Sequence, residues 1–126
     1  MRIADNIYFY RGRGEDKLAR GAGSCNVVVA RGKQQVMVDT GLIVAGSFRD
    51  LAANAAADAV DLRETRAVLH THSHWDHISG DGIVQRQYGA KVYAHPLEKP
   101  IIESQEKGFQ AMILDTGEFY KEILGL

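Results

Sequence analysis

The sequence predicts a single α/β (α+β) domain over residues 1–126, a mixed sheet with helices on one face. Two observations predict it. Two short β-branched runs, CNVVVA at 25–30 and QQVMVD at 34–39, flank Arg31-Gly32-Lys33, a turn signal of hairpin length. They form an antiparallel pair. Further on, RAVLH at 66–70 reads as a short buried strand, and a helical pattern separates it from the strand KVYAH at 91–95. Strand, helix, strand is the unit that builds parallel pairing, so the sheet is mixed.

The remaining elements follow in chain order. Residues Ile3–Tyr10 mix apolar, polar and aromatic side chains, which suits a strand on a half-buried surface. Residues 11–24 are Gly-rich and charged without an apolar period, a surface loop. Asp39-Thr40-Gly41 closes the second hairpin strand, and Ser47–Val60, rich in Ala and Leu with Asp and Arg at intervals, is an amphipathic helix. Ile78–Tyr88 is a further helix with Gly89 as its C-terminal cap. Pro100 suits a first helical turn, so a helix runs on through Ile101–Lys107 until Gly108. Residues 109–126 read as a strand and a short helix. QAMILDTG at 110–117 echoes QVMVDTG at 35–41 with one extra residue, either by coincidence or as one strand-to-turn device used twice.

Charge and composition exclude several functions. Fifteen Lys and Arg against 16 Asp and Glu leave a net charge of −1, without the basic stripe expected of a nucleic-acid protein. Nucleic acid is disfavoured as a partner. No apolar run is long enough to cross a bilayer, and the start has no hydrophobic segment of signal-peptide type, so a soluble cytoplasmic protein with no membrane partner is expected. Cys25 stands alone and cannot form an internal disulfide; it is expected as a small buried apolar group.

The chemistry lies in one string. Four of the five histidines fall within His70-Thr71-His72-Ser73-His74-Trp75-Asp76-His77, where a strand ends. Residues two apart on extended backbone point to the same side, so His72 and His74 can present ring nitrogens to one ion. Asp76 and His77, past the bend, approach from another direction and can hold a second ion. Imidazole with carboxylate suits Zn²⁺, with Fe or Mn as alternatives, whereas Ca²⁺ and Mg²⁺ prefer all-oxygen shells. The competing reading is a His-rich polar loop with no ion. His70 is open between an additional ligand and a packed strand residue, and His95 between an additional ligand and a structural role at a strand end. Trp75 either walls a pocket or joins the core.

THSHWDH at 71–77 resembles the H-x-H-x-D-H signature of the metallo-β-lactamase fold superfamily, and its surroundings agree: a hairpin ending in VDTG, a helix, a strand into the motif, a helix and KVYAH. The resemblance spans roughly residues 1–107. It implies that His72 and His74 bind a first metal and Asp76 and His77 a second. Asp76 would also be a catalytic group steering the attacking water, and Asp39 an acidic support beneath the site rather than merely the cap of the turn at Gly41. Members include β-lactamases, glyoxalase II, lactonases, alkyl sulfatases and nucleases. The implied reaction is hydrolysis by metal-bound hydroxide of an ester, lactone, thioester, amide, sulfate or phosphodiester in a small-molecule substrate. Ser73 is similar to alkyl sulfatases rather than glyoxalase II, where a third His is usual. Ser79-Gly80 stands where many relatives carry Gly-Gly.

The same resemblance implies two halves packed as an αββα sandwich, the second supplying a further His, a bridging Asp and a final His. This chain reads as the first half alone. It is therefore expected to be a portion of a longer zinc hydrolase, a half-domain completed as a homo-oligomer, or a non-catalytic metal-binding module needing a partner chain. A mononuclear iron dioxygenase of persulfide dioxygenase type shares the motif and is a further alternative.

Overall fold

The computed structural model describes residues 1–12, 25–43 and 46–104. Its strands are β1 (Arg2–Ala4), β2 (Ile7–Tyr10), β3 (Val27–Arg31), β4 (Gln35–Val38), β5 (Thr65–Leu69) and β6 (Lys91–Tyr93), joined in that order in one sheet. The first four pair antiparallel, whereas β4–β5 and β5–β6 are parallel, so the sheet is mixed. Helix α1 (Ser47–Ala57) and a 3₁₀ turn (Leu62–Glu64) link β4 to β5. Helices α2 (Trp75–Ile78) and α3 (Asp81–Tyr88) link β5 to β6, and α4 (Lys99–Ile102) follows.

Strand alternation sets the two faces of the sheet. Val27, Val29, Met37 and Val68 point to one side and form the core with Phe48 and Ala55 of α1, Leu62, and Val84 of α3. Burying each large side chain there contributes about 1.5–3 kcal/mol. On the other side, Phe9, Val28, Val38, Leu69 and Tyr93 are successive register partners in one row. Leu69 and Tyr93 in that row remain 46% and 52% exposed. The helical layer of the described residues thus lies against one face.

Several expected elements change at their ends for visible reasons. The strand expected over Ile3–Tyr10 is two strands, because Asn6 takes φ 59° and turns the chain; Asn tolerates the left-handed region. Helix α1 stops at Ala57 instead of Val60, where Ala59 at φ 57° reverses the chain and Val60 N–H donates to the Ala55 carbonyl at 2.9 Å. That reversal drops Val60 into the core. Gly89 caps α3 in the left-handed conformation as expected, with Ala90 N–H reaching back to the Val84 carbonyl. The β6 strand ends at Tyr93, short of His95, and the last helix begins at Lys99 and ends at Ile102. Most of the expected loop, residues 105–107 of the expected helix, and the tail with its QAMILDTG echo lie outside the described residues. Among the described residues, no helix is long and apolar enough to cross a membrane.

The expected helix over 78–88 is instead two, α2 and α3, broken at Ser79-Gly80. A Cβ on Gly80 would sit 2.7 Å from the Thr40 carbonyl oxygen, 2.9 Å from Thr40 Cβ and 3.1 Å from Phe48 Cδ2. Only glycine lets α2 and α3 approach the loop after β4 this closely. Gly80→Val is therefore expected to destabilise the fold by about 2–3 kcal/mol through overpacking against backbone. Urea unfolding followed at the single tryptophan, Trp75, checks it; a loss below about 0.5 kcal/mol would contradict the close approach.

Candidate metal centre

Parallel pairing brings the C-terminal ends of β4 and β5 together, and Asp39 N–H donates to the Leu69 carbonyl at 3.0 Å. The loop Asp39-Thr40-Gly41 therefore meets the histidine string. Such a crevice beyond the carboxyl ends of parallel strands is where α/β sheets bind ligands. The string and the residues after it are pinned onto the loop through Thr40 and Ser79. Thr40 N–H donates to the His77 carbonyl at 2.9 Å, Ser79 Oγ to the Gly41 carbonyl at 3.0 Å, and Ile43 N–H to Ser79 Oγ at 3.1 Å. The start of α2, where His77 N–H bonds the His74 carbonyl, is thereby held in place.

Asp39 is the hub. It adopts φ 59°, a left-handed conformation costing a non-glycine residue about 1–2 kcal/mol, and Gly41 follows at φ 74°. Its Oδ1 accepts from Thr71 N–H at 2.9 Å and faces His70 Nδ1 at 3.1 Å. Its Oδ2 accepts from Thr71 Oγ1 and faces His77 Nδ1, both at 2.8 Å. Burial alone would raise the Asp39 pKa, but the bonds from His70, His77 and Thr71 outweigh it and hold the carboxyl well below the usual carboxylate range.

These bonds decide which imidazole nitrogens remain free. Beside an ionised Asp39, His77 Nδ1 carries the proton, which leaves Nε2 as the lone pair. The single proton of Thr71 Oγ1 goes to Asp39, so this oxygen accepts from His72 Nδ1 at 2.9 Å, and His72 Nε2 is likewise left free. Burial, then the neighbouring His77 and His74, push the His72 pKa down and keep the ring neutral, the form that ligates metals. The ring centroids of His72 and His74 are 4.6 Å apart and those of His72 and His77 4.0 Å. Buried Asp76 places Oδ2 3.7 Å from His77 Nε2; burial pushes its pKa up, against the opposing pull of the three histidines. The His72 ring neighbours those of His74 and His77, and Asp76 lies beside His77, nitrogen and oxygen donors of the kind transition-metal ions take. Among the described residues, the group whose donor atoms come within 4.8 Å of one another is a different one.

The other candidate residues lie differently. The His70 side chain is fully buried, with Nδ1 on Asp39 and Nε2 2.9 Å from both carboxylate oxygens of Asp81. Burial would lower its pKa, but the two carboxylates raise it to about 9, so it is an imidazolium between two anions with neither nitrogen left to face an ion. His95 is exposed, and its Nδ1 accepts from Leu97 N–H at 3.2 Å in the turn before α4. Trp75 is half-buried at the start of α2. Cys25 is buried in the core as expected, and burial followed by the charges of Asp39 and Asp76 pushes its thiol up and keeps it neutral.

Cys25, Asp39 and His77 each bring one donor atom within 4.8 Å of the others, a possible ligand group. In this arrangement Cys25 Sγ lies 3.4 Å from His77 Nδ1, the same nitrogen that bonds Asp39, so the trio is joined by hydrogen bonds. Sequence reasoning missed Thr71, Thr40 and Asp81. Asp81 looked like an ordinary acidic residue in a first helical turn, and only its partner 11 residues earlier reveals it.

Comparison with known proteins agrees with this fold. Residues 20–123 match the family model described as the metallo-beta-lactamase superfamily. Exodeoxyribonuclease WalJ of Streptococcus pneumoniae is 34% identical over 95 residues, 75% of this chain and 30% of that protein. BJP-1, a subclass B3 metallo-beta-lactamase of Bradyrhizobium japonicum, aligns with a TM-score of 0.64 and 24% identity over 82% of this chain and 35% of its own. Rm3 metallo-beta-lactamase aligns with a TM-score of 0.56 and 25% identity over 74% of this chain and 30% of its own. The chain spans about a third of the length of these proteins.

Proposed function

The chain belongs to the metallo-beta-lactamase superfamily, and on that premise we propose that it carries the first-half ligand set of a zinc-dependent hydrolase. The convergence of His72, His74, His77 and buried Asp76 at the ends of β4 and β5, over Asp39, carries this reading. His72 and His74 hold one ion; Asp76 and His77 hold a second. Zn²⁺ suits the mixed nitrogen and oxygen donors best, ahead of Fe and Mn. When bound, zinc supplies an acidified water and a positive charge that stabilises developing negative charge. Asp39 Oδ2 orients His77 by accepting a hydrogen bond from its Nδ1–H, Thr71 Oγ1 does the same for His72, and Asp76 both ligates and steers the attacking water.

Four donors shared between two ions give two each, while a catalytic zinc takes three protein ligands and an open position. We place the remaining donors on a second half or a second copy of this chain, seated on the sheet face that carries Phe9, Val28, Val38, Leu69 and Tyr93. The substrate is a small molecule with a hydrolysable ester, lactone, thioester, amide, sulfate or phosphodiester. The net charge of −1 argues against a nucleic-acid backbone, although one curated relative is named an exodeoxyribonuclease, so a phosphodiester belongs among the test substrates. The single cysteine suits the reducing cytoplasm.

The test is turnover of that substrate panel by the zinc-loaded chain, with its mass in solution measured alongside. Expected is hydrolysis that a chelator stops and added zinc restores. A folded, zinc-loaded oligomer with no turnover on any substrate would overturn the hydrolase reading in favour of a metal-binding module, whereas an inactive monomer would assign the remaining donors to a second half rather than a second copy. Oxygen consumption dependent on iron would overturn it in favour of a dioxygenase.

A further inference from the structure

Asp81 opens α3 four residues beyond His77 and has no reason, as a helix-start residue, to be buried, yet it is 7% exposed. Both its oxygens lie 2.9 Å from His70 Nε2, and Thr40 Oγ1 donates to its Oδ1 at 2.9 Å. From there a line of contacts runs through His70 Nδ1 to Asp39 Oδ1 at 3.1 Å, and from Asp39 Oδ2 to His77 Nδ1 at 2.8 Å. The two oxygens of Asp39 thus divide the work. Oδ1 is clamped between Thr71 N–H and His70, which leaves Oδ2 aimed at His77. A carboxylate can turn about its Cα–Cβ and Cβ–Cγ bonds, and the Asp81 oxygens behind His70 stop that ring from moving away and releasing Oδ1.

We infer that Asp81 and His70 are positioning residues that act through Asp39 to fix the ring orientation and tautomer of His77, and so the half of the centre that His77 serves. The inference rests on the metal-centre reading above. Outer groups that orient a ligating histidine commonly change metal affinity about 10–100-fold when removed, although they never touch the ion. The competing explanation is a staple that ties α3 to the loop after β4 and has no effect on His77.

The test uses Asp81→Ala and Asp81→Asn with two readouts. In the metal-free protein, long-range ¹H–¹⁵N imidazole spectra report the tautomer of each ring. Wild-type His77 is expected as the Nδ1–H form, Asp81→Ala as a mixture, and Asp81→Asn, which keeps one acceptor for His70, in between. In Co²⁺ titrations, Asp81→Ala is expected to weaken the His77-side ion about 10–100-fold and spare the ion held by His72 and His74. If Asp81→Ala does not fold, Asp81→Asn decides by the same readouts. A His77 spectrum unchanged from wild type in the folded variants overturns the inference, even where stability falls, because a staple does only that. Failure of the wild-type chain to bind cobalt overturns the metal-centre reading instead, and the metal-free spectra still decide the positioning.

Discussion

Replacing His72 and His74 together with alanine is expected to abolish metal binding while leaving the chain folded. Both rings are only partly buried, at the open end of the sheet, and neither belongs to the core cluster. Their loss costs about 1 kcal/mol or less in the metal-free protein. For the ion the change is of another order. Two imidazoles disappear, and Asp76 and His77 cannot make a closed shell, so affinity falls by more than the roughly 100-fold typical of outer-group substitutions. Metal content by inductively coupled plasma mass spectrometry, with Trp75 emission reporting the fold, checks both halves. Undiminished metal in the double variant would move the ion to the group formed by Cys25, Asp39 and His77.

Asp39→Ala is expected to have the largest effect on stability. It leaves His70 Nδ1, Thr71 N–H, Thr71 Oγ1 and His77 Nδ1 without their shared acceptor, and His70 is a fully buried imidazolium. Removing one partner of a buried ion pair costs about 3–5 kcal/mol when the other charge is left unpaired. His70 keeps Asp81, so a loss of about 3 kcal/mol is expected, much of it from the buried donors left without an acceptor. Asp39→Asn keeps a carbonyl oxygen and is expected to lose less. Metal affinity falls with it, since His77 is no longer oriented. Urea unfolding of the chelator-treated proteins is the measurement; a loss under about 1 kcal/mol for Asp39→Ala would contradict the buried network.

Both predictions concern residues that the sequence made visible, for different reasons. The histidines declare themselves by density at a strand end, and alternation on extended backbone suffices to pair His72 with His74. The hairpin and the strand–helix–strand unit were equally legible, because β-branched runs and turn residues act locally. What stayed hidden depends on contacts between distant segments. Nothing local tells that Gly80 must admit the Thr40 carbonyl and so break one helix into two. His70 reads as a ligand or a strand residue until Asp39, 31 residues before it, and Asp81, 11 after it, occupy its two nitrogens. Asp39 could be placed beneath the site by resemblance, but its left-handed backbone and its four hydrogen-bonding contacts are properties of the folded loop.

The central claim is that this chain builds a transition-metal site from the string His72 to His77. The most direct measurement is the metal content of the purified chain by inductively coupled plasma mass spectrometry, alongside its mass in solution. Expected is zinc, or another first-row transition metal on loading, at about one or two ions per site. A folded chain that retains no metal after exposure to zinc, cobalt, iron and manganese would contradict it.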